Sequence, residues 1–185
     1  MSSSMSSASS FMIRPETAAD VPARERLLDQ AFGKRRHAKT SARLRDGRLP
    51  AEGLAFTAIS PSGRVIGSVR LWNIIAGSAG PSLLLGPLAV DGRRRGKGIG
   101  AALMEHALNS ARVLGHDSVL LVGDAPYYER FGFSRAFTRS LHLPGPVEAE
   151  RFLGLELTPH ALDGAEGLVA ASGVLASGAE SRKAA

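Results

Sequence analysis

Apolar positions along the chain change spacing several times, and each change predicts an element. Phe11, Met12 and Ile13 form a short apolar run that Arg14 and Pro15 close, an opening strand at 11–14. Thr17 or Asp20 then caps a helix on which Val21, Leu27, Leu28, Ala31 and Phe32 recur at helical spacing, with Gly33 near its end. A second, shorter helix fits 40–45. Two strand-like runs follow at 54–59 and 65–75, separated by Ser60-Pro61-Ser62-Gly63. Proline fixes φ in that tetrad and glycine tolerates positive φ, so the two runs are predicted to pair as an antiparallel hairpin.

The run Leu83-Leu84-Leu85-Gly86-Pro87-Leu88-Ala89-Val90 is apolar enough for a strand buried on both faces. Pro87 has no amide to give a ladder, which implies a bulge, an edge or a splayed position there. Over 98–114 the residues Ile99, Leu103, Ala107, Ala111 and Leu114 share one helical face, and Gly115 stops the helix. A short buried strand is expected at 118–122, a short helix at 125–131 ended by Gly132, and two last strands at 133–137 and 152–157. No internal repeat is visible. The order of elements predicts one α/β (α+β) domain over 11–158, a central mixed sheet with helices on both faces. The serine-rich stretch 1–10 reads as a disordered tail. Residues 159–185 read as an extension, disordered from about Ser172 onward.

The 185 residues suffice for one domain with a sizeable core, and 44% hydrophobic content is ordinary for a globular chain. The sequence has 0 cysteines, which excludes disulfides, thiolate metal sites and a cysteine nucleophile. No metal is expected, and the lack of cysteine fits a reducing compartment, so a cytoplasmic location is expected. The longest apolar run is too short to cross a bilayer, and the start of the chain lacks the pattern of a secretory signal. Net charge is +6, with basic residues gathered at 34–39, 43–48 and 93–97. The middle group alternates with Leu44 and Leu49, as the solvated side of a helix would.

The third group carries chemistry. Arg95-Gly96-Lys97-Gly98-Ile99-Gly100-Ala101 joins the apolar strand to the amphipathic helix. Alternating glycines let backbone amides point outward, and the free amides and dipole of a helix start attract an anion. Arg93, Arg94, Arg95 and Lys97 add positive charge, so a pyrophosphate is the natural occupant. The nucleotide P-loop would need Lys-Ser or Lys-Thr after its last glycine, whereas Ala101-Ala102 follow Gly100. The dinucleotide pattern would put its third glycine at Ala101.

Arg95-Gly96-Lys97-Gly98-Ile99-Gly100 resembles the Gln/Arg-x-x-Gly-x-Gly/Ala signature of the GNAT superfamily of N-acetyltransferases. Tyr127-Tyr128-Glu129-Arg130-Phe131-Gly132-Phe133 resembles that family's second landmark, a Tyr-Glu-Lys-x-Gly-Phe-like segment, and the resemblance covers 11–157. It implies a mostly antiparallel, twisted sheet with a splayed strand pair. It implies acetyl-CoA as co-substrate and an amine acceptor that attacks directly in a ternary complex. Leu88, Ala89 and Val90 then offer backbone groups to the pantetheine arm and the thioester. Residues Arg95, Gly96, Lys97, Gly98, Ile99, Gly100 and Ala101 hold the pyrophosphate. Tyr128 matches the tyrosine placed near the departing sulfur, and Tyr127 is expected to pack. Family members are often dimers, so a homodimer fits.

The base is open. Glu25, Glu52, His106, Asp124 and His142 have the chemistry. Asp124 is the best placed, either orienting an amine or a water, or capping the helix that starts at Ala125. Enzymes of the family often deprotonate through a water chain instead. The resemblance gives the acceptor side to 31–50, whose positive charge suits a negatively charged acceptor or partner. Trp72 and Asn73 line that cleft or pack. Two rival readings remain: a catalytically silent acyl-CoA-binding module, and a nucleic-acid-binding domain. The second lacks interleaved aromatics and any recognised nucleic-acid motif.

Overall fold

The computed structural model describes residues 10–177. Strand β1 (Met12–Pro15) leads into helix α1 (Val21–Phe32), and two 3-10 turns, Lys34–Ala38 and Thr40–Leu44, connect α1 to the hairpin β2 (Ala55–Ile59) and β3 (Val65–Ala76). Strand β4 (Pro81–Val90), helix α2 (Ile99–Val113), strand β5 (Ser118–Val122) and helix α3 (Ala125–Glu129) follow. The chain finishes with β6 (Ser140–His142), β7 (Phe152–Glu156) and β8 (Glu166–Ala171).

The main sheet runs β1-β2-β3-β4-β5-β7. Its neighbours are antiparallel except β4 and β5, which are parallel. The hairpin turn closes as its chemistry implies: the Ser60 amide donates to Arg64 O at 2.9 Å and the Arg64 amide to Ser60 Oγ at 3.1 Å. Side-chain alternation sorts the core onto two faces. Leu83 and Leu85 of β4, with Val119 and Leu121 of β5, pack against Leu103, Ala107 and Ala111 of α2. Leu84 and Leu120 face the other way, towards Trp72, Ile74, Leu141, Phe152 and Leu162. Helix α1 lies on that second side through Leu27 and Leu28, which pack on Ala89. Leu114, expected on the buried face of α2, is exposed, as are Val21 and Phe32 of α1. No described helix is long and apolar enough to cross a membrane.

Charge pairs fix α1 to the sheet. Glu16 lies buried between Arg24 of α1 and Arg70 of β3, and the Arg70 Nε donates to it at 2.8 Å. Arg14 of β1 holds Asp20, just ahead of α1, in a two-point pair at 2.6 and 2.9 Å.

Two expectations are corrected. Residues 133–137 are not a strand: Ser134 makes one bridge to Gly154, and its hydroxyl accepts the Ala136 amide at 3.1 Å, turning the backbone into a 3-10 helix. The segment after 158 is no mere extension. β8 pairs with the last part of β3, Ala171 opposite Ile74, where β2 has already ended, and the chain beyond it bonds back to Gly47 and Leu49. The domain therefore runs past 158, and the tail expected from Ser172 is ordered as far as Ala176. Residues 1–9 and 178–185, the rest of both expected tails, lie outside the described residues.

Candidate active site

The site begins where two parallel strands part. β4 and β5 pair only at Leu83–Val119 and Leu84–Leu120. The buried hydroxyls of Ser82 and Ser118, 2.7 Å apart, close the base of the pair. β5 then stays with β7 as far as Val122, while β4 bends at the cis Gly86-Pro87 bond, where its register against β3 shifts between Val69 and Leu71. Trp72 fixes the bend by donating its indole N–H to Gly86 O at 2.6 Å. It is thereby buried and packs, the second of the two roles that its sequence position allowed. From Leu85 to Val90 the β5-facing edge of β4 has no strand partner among the described residues, so its backbone polar groups face a cleft of about 1170 Å³. Leu88, Ala89 and Val90 line it.

The cleft ends on the start of α2. Gly98 caps the helix at φ 79°, a left-handed conformation that costs an L-residue roughly 1–2 kcal/mol. The Ala102 amide makes the first helical bond, to Gly98 O at 3.0 Å, which leaves the amides of Ile99, Gly100 and Ala101 without helical acceptors. Arg94, Arg95, Gly96, Gly98, Ile99, Gly100 and Ala101 all border the cleft. Lys97 stands beside it, on a smaller hollow of about 240 Å³ shared with Arg64, Asp91, Arg93 and Arg94.

Helix α3 brings up the tyrosines. The Tyr128 ring covers Gly123, where any Cβ would collide with it, and meets Phe133 edge-on at 6.1 Å. Burial pushes its phenol up to about 12; Tyr127 adds to the rise and the Arg151 charge opposes it. Tyr127 stands edge-on to Tyr128 at 4.9 Å, with the Arg130 guanidinium 4.6 Å above its ring. Burial raises the Tyr127 phenol as well.

Of the base candidates, Asp124 alone lines the cleft. It is the N-cap residue of α3, yet its carboxylate makes no capping bond; its backbone oxygen accepts the Tyr127 and Tyr128 amides at 3.1 and 3.2 Å. Glu25 is held by Arg24 and Arg36, and His106 packs edge-on against Phe56 at 4.6 Å. Glu52 and His142 are exposed away from the cleft. Among the described residues no group of His, Asp and Glu is placed to hold a metal ion.

The remaining wall is basic. Arg43 donates to Pro144 O at 2.7 Å and the Thr40 hydroxyl to Pro146 O, which latches the Thr40–Leu44 turn to the loop ahead of β7. Arg36, Lys39 and Arg45 reach the cleft from one side, Glu148 and Arg151 from the other. Arg45 was expected on a solvated helix side, and Glu148 and Arg151 carry no motif that a sequence could show. Their place follows from how the turn and the loop pack.

The geometry resembles that of known proteins. Residues 52–135, from β2 to α3, match the model of the acetyltransferase (GNAT) domain. The chain is 33% identical to the uncharacterized N-acetyltransferase YhbS of Escherichia coli over 86% of its own length and 95% of that protein's. It belongs to the GNAT family of N-acetyltransferases. The E. coli YhbS crystal structure, in complex with CoA, superposes on this GNAT chain with a TM-score of 0.75 at 32% identity, over 89% and 91% of the two chains. A GNAT family acetyltransferase from Brucella melitensis in complex with acetyl-CoA gives 0.66 at 26% identity, over 89% and 97%.

Proposed function

We propose that the cleft binds acetyl-CoA and passes its acetyl group to a primary amine by direct attack in a ternary complex. One observation carries the reading: a single cleft joins the unpaired edge of β4, the free amides of α2 and the partly buried phenol of Tyr128. The CoA and acetyl-CoA complexes of the two relatives support it.

In this reading the pyrophosphate sits on the amides of Ile99, Gly100 and Ala101, with Arg94 and Arg95 adding charge. The pantetheine arm runs along Leu88 to Val90 and exchanges hydrogen bonds with the open strand edge. The amine nitrogen attacks the thioester carbonyl, the C–S bond breaks, and the sulfur leaves as a thiolate. Tyr128 donates a hydrogen bond to that sulfur. Full proton transfer from a phenol at about 12 to a thiolate whose thiol titrates near 8.5 is uphill by roughly 5 kcal/mol, so Tyr128 stabilises the thiolate and keeps its own proton. The attacking nitrogen releases its proton towards Asp124 or to water held there.

Calorimetry with acetyl-CoA, followed by thiol release against a panel of amines, tests the proposal. Micromolar binding with amine-dependent release is the expected result. Binding without release on any amine leaves the silent acyl-CoA-binding module, and no binding removes both.

A further inference from the structure

Of the arginines beside α1, Arg26, Arg35 and Arg43 are exposed to solvent, while those drawn into the fold are paired, Arg45 excepted. Arg24 pairs with Glu16 and Glu25, Arg36 with Glu25 and Asp29, and Arg70 with Glu16. Arg45 lines the cleft yet has no ion-pair partner among the described residues. Burial, with the charge of Arg36 and against that of Asp46, lowers its pKa to about 10, so it stays protonated at neutral pH. A guanidinium carries five N–H donors in a planar fork that fits two oxygens of one anion. Withdrawing such a group from water is costly unless an anion answers it.

The position of Arg45 separates it from the phosphate end. Its neighbour Leu44 is buried with Trp72 and Leu84, beside the closed base of the β4–β5 pair and on the sheet face opposite α2. The free amides of α2 lie at the other end of the open edge, beyond Val90. Lys39 and Arg151 border the same cleft and add positive charge, against the carboxylates of Glu148 and Asp124.

We infer that the acceptor is an amine carrying an oxyanion, a carboxylate or a phosphate, which the Arg45 guanidinium takes in a two-point hydrogen bond. The inference rests on the acetyltransferase reading and names the substrate class of the same cleft. Arg45 then selects the acceptor and positions its amine, and contributes nothing to the cofactor.

Binding of acetylated amines to the CoA-saturated protein tests this without turnover and without differences in amine ionisation. N-acetyl-leucine is compared with N-acetyl-leucinamide, and N-acetyl-phosphoethanolamine with N-acetyl-ethanolamine, by calorimetry. At least one charged member should bind about tenfold or more tightly than its neutral counterpart, and which pair shows the gap tells carboxylate from phosphate. Arg45→Met should erase the preference, Arg45→Lys should keep part of it, and acetyl-CoA affinity should hold in both. Equal binding within both pairs overturns the inference, as does a preference that survives Arg45→Met. So does a tenfold loss of acetyl-CoA affinity in Arg45→Met, which would give the guanidinium to the cofactor. Should Arg45→Met melt early, Arg45→Lys and Arg45→Gln give the same comparison. Thiol release that fails with every amine removes the proposed function while leaving a measured anion preference intact, so the two failures are distinct.

Discussion

The Tyr127 hydroxyl lies against the backbone of Gly100: a Cβ on that glycine would sit 2.8 Å from the phenolic oxygen. The two landmarks of the sequence, far apart along the chain, thus touch at the second residue of α2. Glycine is a poorer helix former than alanine, by up to about 1 kcal/mol in a helix interior and less in the first turn, so local propensity argues mildly against Gly100 and close approach argues for it. Gly100→Ala should melt no lower than the parent, because the helix gains what the contact loses. Acetyl-CoA affinity should fall by about tenfold, since the methyl and the displaced phenol crowd the free amides. Tyr127→Phe in the Gly100→Ala background should recover part of it. Calorimetry on the parent and the three variants checks the cycle, and unchanged affinity in Gly100→Ala would show that the approach is not tight.

Glu16 supports a second expectation. Its carboxylate is 4% exposed and answers both Arg24 and Arg70, joining α1 to β3. Glu16→Gln keeps the volume but leaves Arg70 without its carboxylate and Arg24 with Glu25 alone. Removing one partner of a buried pair costs about 3 kcal/mol or more, which for a chain of this size lowers the melting temperature by roughly 10 °C. Glu52→Gln, an exposed carboxylate, is the control and should stay within about 0.5 kcal/mol of the parent. Equal melting of the two variants would remove the network from the account of stability.

What could be read from the sequence divides along physical lines. The glycine cradle, the strand before it and the helix after it were legible because their chemistry is local: three spaced glycines, a hydrophobic run and a helical stripe. The irregularity at Pro87 was legible as a bulge, an edge or a splayed position because proline lacks an amide, and the register shift against β3 is the bulge. β8 was not: Glu166-Gly167-Leu168-Val169-Ala170-Ala171 has no apolar–polar alternation, although every second residue turns inward in the fold, and it earns its place by extending β3 where β2 stops. Arg45 was misplaced because it lies in a basic run, and which member of such a run turns inward depends on its neighbours' packing, here that of Leu44.

Asp20 makes acid stability testable. The hydrogen bond from Arg14 holds its carboxyl well below the usual carboxylate range against the opposing effect of burial, and the Thr17 amide and hydroxyl assist. A depressed folded-state pKa adds stability that is complete above the unfolded value, about 4, and is lost as pH falls towards the folded value. Asp20→Asn should therefore cost about 2 kcal/mol at neutral pH, the scale of a charge-assisted hydrogen bond, and clearly less near pH 2. Urea unfolding of both proteins across that range gives the difference directly. A gap that is constant with pH would mean that Asp20 acts through packing and not through its charge.

Tyr128 carries the mechanistic prediction. Tyr128→Phe removes one hydroxyl from a ring that packs on Gly123 and Phe133, so folding and acetyl-CoA affinity should barely change. Turnover should fall by about 100-fold or more, because the hydrogen bond strengthens only as charge builds on the leaving sulfur. The loss should appear in kcat, with the KM for acetyl-CoA nearly constant. The partly buried phenol adds a pH signature. In the proposed role the protonated form is the active one, and with its pKa raised to about 12 it stays protonated throughout the ordinary assay range. An unperturbed tyrosine would instead impose a falling limb near pH 10. The parent should hold its rate to at least about pH 10 in single-turnover measurements, and the Tyr128→Phe profile should run parallel below it. A falling limb near pH 10 that vanishes in Tyr128→Phe would place the phenol in water at the moment of reaction, against the burial that α3 gives it. Parent-like single-turnover rates in the variant would remove Tyr128 from the chemistry and leave the free amides of α2 and the open edge of β4 to account for catalysis.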